Sequence, residues 1–324
     1  YVDGNPFNLF ADISAENSLK TKSNWIHNYS VGVNFQYNDN FGKGRYGTVG
    51  QFSTASTSSV ASGTREYNYA DQVLSIKQFS GYIQDNIFKK FDNNSVLTTN
   101  IGLRYDNQNK YSVFSPRLNA SYKIKNITLR LGSGISSKAP SLNMVYTGPR
   151  YLDLLLGDYR LPGVYSVAIM QTIVTPANNA DLKPSKSWRS EIGLDFNLPF
   201  MTAGITGYRN KLYDGFTTDY NILELQKAKV AIQQNGNLPP TFALNGTETY
   251  RYIQNLQTND YESTDTGVEL LIGFKKIESL NLTVGLKGSY VKTISGKTLE
   301  TIEAARVEDT AGSYGIFSPY KTTA

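Results

Sequence analysis

From residue 113 to residue 124 the chain alternates side by side. Phe114, Pro116, Leu118, Ala120, Tyr122 and Ile124 fall on one face of an extended strand, and Ser115, Arg117, Asn119, Ser121 and Lys123 on the other. Strand side chains point alternately to opposite faces, so such a segment must sit between an apolar medium and a wet one. Residues 187 to 197 repeat the pattern, with Trp188, Ile192, Leu194 and Phe196 opposed to Arg189, Glu191, Asp195 and Asn197. Residues 25 to 37 carry Trp25, Tyr29, Val31, Val33, Phe35 and Tyr37 on one face, with aromatics at both ends of a valine centre. Two interfacial aromatic girdles around a hydrocarbon band require that arrangement. Further strands are expected at about 6 to 16, 72 to 90, 96 to 107, 127 to 136, 201 to 213, 261 to 274 and 280 to 290.

The links between these segments carry a second pattern. Those at 17 to 23, 91 to 95, 125 to 126, 198 to 200 and 275 to 279 are short. They alternate strictly with 38 to 71, 108 to 112, 137 to 186, 214 to 260 and 291 onward, and all but one of this second set are long. Up-and-down barrels of the outer membrane have short periplasmic turns and long external loops, so the parity assigns each link a side. A secreted β-sandwich also shows alternating strands. It has no reason to keep its long links on one side, because structureless loops beyond about 15 residues are uncommon in compact domains. The expected fold is therefore all-β, an antiparallel up-and-down transmembrane β-barrel.

Composition agrees and removes other classes. Charged residues make up 18%, with 23 Tyr and 27 Gly, a vocabulary of strands and turns. No run of about 18 apolar residues exists, which excludes a helical span. The mean hydropathy of −0.37 is compatible with a barrel, because lumen-facing residues dilute the lipid-facing ones. With no cysteine, thiolate sites and disulfides are out of reach. The net charge of +5 is spread without a basic block, so no nucleic-acid partner is expected. Gly42, Gly44 and Gly47 match GxGxxG, but polar Asn38, Asp39 and Asn40 precede them and no helical period follows, so an external loop is expected there. The single histidine, His27, lies on an apolar strand face, where a girdle position suits its ring. Asp260 with Glu262, and Asp265 with Glu269, lack an enclosure that would split their pKa values. No enzyme, cofactor or metal site is expected.

Several segments resemble the barrel of TonB-dependent receptors, especially the large receptors of Bacteroidetes. They are Gly81 to Ile87 (GYIQDNI), Asn100 to Asp106 (NIGLRYD), Phe114 to Tyr122 (FSPRLNASY), Arg130 to Ser137 (RLGSGISS) followed by Lys138, Ala139 and Pro140, Leu182 to Ser187 (LKPSKS) leading to Glu191, Ile192 and Gly193, and Gly267 to Leu270 (GVEL). They run in the family's order across about residues 72 to 290. The resemblance implies that residues 1 to 324 are part of a barrel domain, about ten strands of a plugged barrel of ~22, with the plug and the terminal strands lying outside them. It also implies the bacterial outer membrane as location, with its lipid as neighbour, and uptake of a scarce extracellular nutrient (siderophore, glycan, peptide or cobalamin-like) driven by TonB through the plug. A surface lipoprotein is a further partner of such receptors.

Two other readings stay open: an adhesive or structural outer-membrane barrel without transport, and a soluble carbohydrate-binding β-protein. Arg117, Lys123, Arg130, Arg189 and Glu191 are expected on the lumen face. External loops must recognise a ligand before it enters the lumen. The densest group of aromatic and charged residues in the long links is Tyr146, Arg150, Tyr151, Asp153, Asp158, Tyr159 and Arg160, which are the expected ligand contacts. The alternative for this stretch is that Leu152 and Leu154 to Leu156 fold the loop onto itself or onto a partner lipoprotein.

Overall fold

A computed structural model describes residues 2–45, 60–63, 74–145, 150–161, 163–175, 179 and 181–298. Its strands, in chain order, are β1 (Val2–Asp3), β2 (Pro6–Lys20), β3 (Trp25–Asn40), β4 (Gly44–Arg45), β5 (Val60–Gly63), β6 (Ile76–Lys90), β7 (Val96–Gln108) and β8 (Tyr111–Ile124). They continue with β9 (Ile127–Lys138), β10 (Arg150–Leu161), β11 (Tyr165–Thr175), β12 (Ser185–Asn197), β13 (Met201–Asn235), β14 (Leu238–Phe274) and β15 (Gly285–Lys297). One helical turn, α1, spans Leu142–Val145. Among the described residues, no helix is long and apolar enough to cross a membrane.

Ten of these strands form one antiparallel sheet in the order β15-β14-β13-β12-β9-β8-β7-β6-β3-β2. Each neighbours the next sheet strand along the chain, which is the up-and-down arrangement. All ten strands expected from the alternation are present. The first runs on to Lys20 and the last begins only at Gly285. Between β14 and β15 an Ile277–Leu282 bridge and a short 3-10 turn at Glu278–Leu280 take up residues that the alternation assigned to strand.

The tight turns at the short-link end hold backbone in the left-handed region at Asn24, Asn94, Lys125 and Asn281. Asparagine is the non-glycine residue that accepts this most readily. Gly42 of the glycine motif abuts the backbone of Asp3 to Asn5, where a Cβ would collide with the Asp3 carbonyl. Its role is a close chain crossing beside β1 and β4. Gly47 lies outside the described residues.

Register separates the faces as expected. Leu118 pairs with Ile101 and is 48% exposed, and Ile192 of β12 is 56% exposed, so the apolar face of the wall is bare. Aromatic residues gather at both ends of that face. Trp25, Phe91 and Tyr122 meet edge to face at 6.5 and 6.1 Å at the short-link end. Phe7 meets Tyr37 at 6.1 Å, and Tyr105 meets Phe114 at 4.9 Å, at the other. His27 stands among them but has a stronger tie than a girdle position supplies. Its Nδ1 lies 2.7 Å from Asp85 Oδ2 across β3 and β6, and Asp85 brings a carboxylate to the apolar face.

The long links are where expectation and structure part. The span 137 to 186 contains the β10–β11 hairpin, and β5 adds a third strand to it. The span 214 to 260 is not a loop either, because β13 and β14 stay paired from Gly215 with Tyr261 to Asn235 with Leu238. At 3.3 Å per residue this paired arm is roughly 65 Å long. Alternation fails as a guide in both places because the side chains there no longer separate two solvents.

Candidate functional site

The polar face of the sheet carries several separate clusters of hydrogen-bonded and charged side chains. Arg130 Nε donates to Asp195 Oδ2 at 2.6 Å, and its Nη2 donates to Asp195 Oδ1 and Thr206 Oγ1, both at 3.0 Å. The guanidinium reaches across β12 because its cross-strand partner is Gly193, where a Cβ would come 2.9 Å from Arg130 Nη2. Both charged side chains are about 40% exposed. The pair therefore contributes under about 1 kcal/mol, and its role is to fix the guanidinium in place. Arg104 chelates Asp106 through Nε at 2.9 Å to both oxygens, and Ser80 Oγ donates to the same carboxylate at 2.6 Å. Arg189 reaches Glu191 at 3.2 Å and lies over the Tyr208 ring at 5.1 Å. Arg117 donates to Gln84 Oε1 at 2.8 Å. Two open recesses indent this face. One of about 530 Å³ is lined by Tyr82, Gln84, Arg104, Arg117 and Ser136 among others, and one of about 590 Å³ by Arg130, Asp195, Glu269 and Lys287 among others.

The expected ligand contacts fall on the β10–β11 hairpin. Arg150, Tyr151, Asp153, Asp158, Tyr159 and Arg160 are all residues of β10, and Tyr146 lies outside the described residues. Asp153 is buried and accepts from Thr172 Oγ1 at 2.6 Å, so it is committed to the hairpin. Tyr159 packs on Phe242 of the arm at 5.8 Å. Leu152 and Leu154 are 2% and 0% exposed.

Sequence reasoning missed the three amides that hold together the pieces beyond the wall. Gln171 of β11 donates to the Gln226 carbonyl at 2.9 Å and accepts from the Ala228 amide at 2.7 Å. Its side chain thus acts as a substitute strand on the free edge of β13. Asn259 donates to the carbonyls of Lys183 and Asp214 at 2.9 and 2.8 Å and accepts from the Lys183 amide at 2.7 Å. Asn179 donates to the Gln257 carbonyl at 2.6 Å. No local signal marks them, because an asparagine or glutamine in a polar link reads the same whether it faces water or backbone. In the arm, burial and then the neighbouring Tyr252 hold the Tyr250 hydroxyl above its ordinary pKa. Among the described residues, no group of three His, Asp or Glu side chains is placed to hold a metal ion.

A sheet with consecutive strand order, one bare apolar face rimmed by aromatics and one charged wet face is the wall of an up-and-down membrane barrel. A family model described as TonB dependent receptor-like, beta-barrel, matches residues 2–298. The chain belongs to that family, whose barrels are outer-membrane proteins. It is 34% identical over 137 residues to the probable TonB-dependent siderophore receptor PirA of Acinetobacter baumannii, covering 42% of this chain and 17% of that protein. It is 31% identical over 170 residues to the ferrienterobactin receptor of Escherichia coli, covering 49% of this chain and 21% of that one. The matched part is thus about a fifth of those relatives' length. Among solved structures, the A. baumannii siderophore receptor PirA superposes with a TM-score of 0.53 at 18% identity, over 91% of this chain and 38% of that one. The outer-membrane transporter YddB of E. coli superposes with 0.55 at 13%, over 89% and 33%. At these identities the structures speak for the fold alone.

Proposed function

We propose that the chain is one arc of a closed, plugged outer-membrane barrel that imports a scarce nutrient with energy supplied through TonB. The observation that carries this is the two-faced ten-stranded wall, whose edge strands β2 and β15 leave backbone groups that hydrocarbon cannot satisfy. Pairing with further strands of the same barrel satisfies them. A ferric siderophore is the first substrate class to test, because two relatives of this sequence are named as receptors for such compounds. The finer resemblance, to the large receptors of Bacteroidetes, rests on the quoted segments together, whereas these two relatives come from Acinetobacter and Escherichia. A lipoprotein cap is the partner that an arm standing clear of the wall would accommodate.

Epitope tags at Gly236, in the arm's turn, and at Pro199, in the short link between β12 and β13, test the orientation in the full-length receptor. Whole cells should label at Gly236 only, and labelling at Pro199 overturns it. Uptake of an iron-loaded siderophore should then depend on both the receptor and TonB. For the site, we propose that β10 contacts the ligand. Alanine at both Arg150 and Tyr151, with barrel assembly intact, should weaken binding at least tenfold, and unchanged affinity would move the site elsewhere.

A further inference from the structure

We propose that the recess around Arg117 is a binding site for an anionic group, a carboxylate or a phosphate, on the lumen wall. Of the four arginines on the wall's polar face, Arg104, Arg117, Arg130 and Arg189, three are neutralised. Arg104 is held by Asp106, Arg130 by Asp195 and Arg189 by Glu191. Arg117 differs in that its hydrogen-bond partner, Gln84, is uncharged. Its side chain is exposed and lines the recess, and of the several N–H donors of a guanidinium the Gln84 contact uses one.

The space beside it is built by the sequence of the adjoining strands. Arg117 pairs with Gly102 on β7 and with Gly134 on β9. Glycines on both flanks remove the side chains that would otherwise stand next to the guanidinium. Beyond Gly102 stands Gln84, beyond Gly134 stands Arg189 with its partner Glu191, and Ser115 and Ser136 line the recess toward the long-link end. A planar cation with free parallel N–H groups, hydroxyls nearby and a cleared approach suits two anionic oxygens side by side. Arg104 and Asp106 both line the same recess and offset each other as an ion pair, which leaves Arg117 as the attracting charge.

The inference rests on the proposed reading of the polar face as the lumen, but its test reads local potential and not uptake, so the two can fail separately. In the full-length receptor Ser136→Cys puts a thiol in the recess, and the 324-residue chain contains no other cysteine. The same receptor without the substitution gives the background. The rates of modification by a sulfonate-bearing and a trimethylammonium-bearing methanethiosulfonate are then compared. Arg117→Gln should lower the anionic-to-cationic rate ratio about tenfold, as expected for removing one charge a few ångströms away, and Arg117→Lys should largely keep it. Millimolar citrate or inorganic phosphate should slow the sulfonate reagent when Arg117 is present, and the more effective of the two names the ligand's chemistry. A ratio indifferent to Arg117→Gln, protection by neither anion, or an introduced thiol that reacts with neither reagent because another part of the receptor fills the recess would each overturn the proposal. Ser115→Cys repeats the measurement from a second position in the recess should the first variant assemble poorly.

Discussion

The lower and upper halves of β13 and β14 are the same two strands living under different rules. Below Leu212 and Ser263 they pair residue for residue, with no break in register down to Met201 and Phe274. Above that level the register shifts between Leu212 and Gly215, Gly215 and Thr217, Ala228 and Val230, and Gln233 and Asn235. In the wall a slip of one residue would turn every apolar side chain into the lumen and every polar one into lipid, so a shift is heavily penalised. In the arm both faces meet water or another external strand. The penalty disappears there, and side chains such as Gln171 take over the alignment.

Burial divides the molecule along the same line. The wall keeps its large apolar residues exposed, whereas Leu152, Leu154 and Leu182 of the external region are buried. The wall is stabilised by a solvent outside the protein, and the external hairpin by a small core of its own. Leu154→Ala should break the second without touching the first. A fully buried leucine exchanged for alanine costs about 2 to 5 kcal/mol. That loss should appear as faster amide exchange across β10 and β11, with β8 and β9 unchanged, and equal loss in both regions would mean they fold as one unit.

The wall is tested from the other side by arginine at Leu118 and at Asn119. The first should cost about 2 to 4 kcal/mol near mid-membrane and the second little. Urea titration of the receptor in vesicles reads the difference, and equal costs would refute the assignment of faces. The smallest effect sharpens the boundary between the halves. Asn259→Ala removes three hydrogen bonds to backbone and should loosen the junction of β12 with the arm by about 1 to 2 kcal/mol. Exchange at Lys183 and Asp214 should rise while transition midpoints of the wall stay within error.

The wall was largely legible in advance. Trp25 to Tyr37, Phe114 to Ile124 and Trp188 to Phe196 announced their faces by alternation alone, and Arg117, Arg130, Arg189 and Glu191 stand on the polar face expected for them. The candidate ligand residues were legible only as a composition. Arg150 to Arg160 read as an external loop because the run Leu154 to Leu156 has no period of two, and a strand packed on both sides need not show one. His27 read as an aromatic-belt residue because its partner Asp85 lies 58 positions away, and only register brings the two together.

What the sequence determined by itself was every property that depends on which medium a side chain meets. That covers the number of wall strands, their faces, the aromatic rims and the parity of the links, since lipid and water impose a period that can be read residue by residue. What tertiary structure alone decided was every property that depends on which distant residue is nearby. Arg130 finds Asp195 while Arg117 faces an uncharged Gln84, and Asn259 clasps Lys183. These outcomes follow from strand register and chain crossing, which bring together groups tens of residues apart and leave no local trace of the pairing.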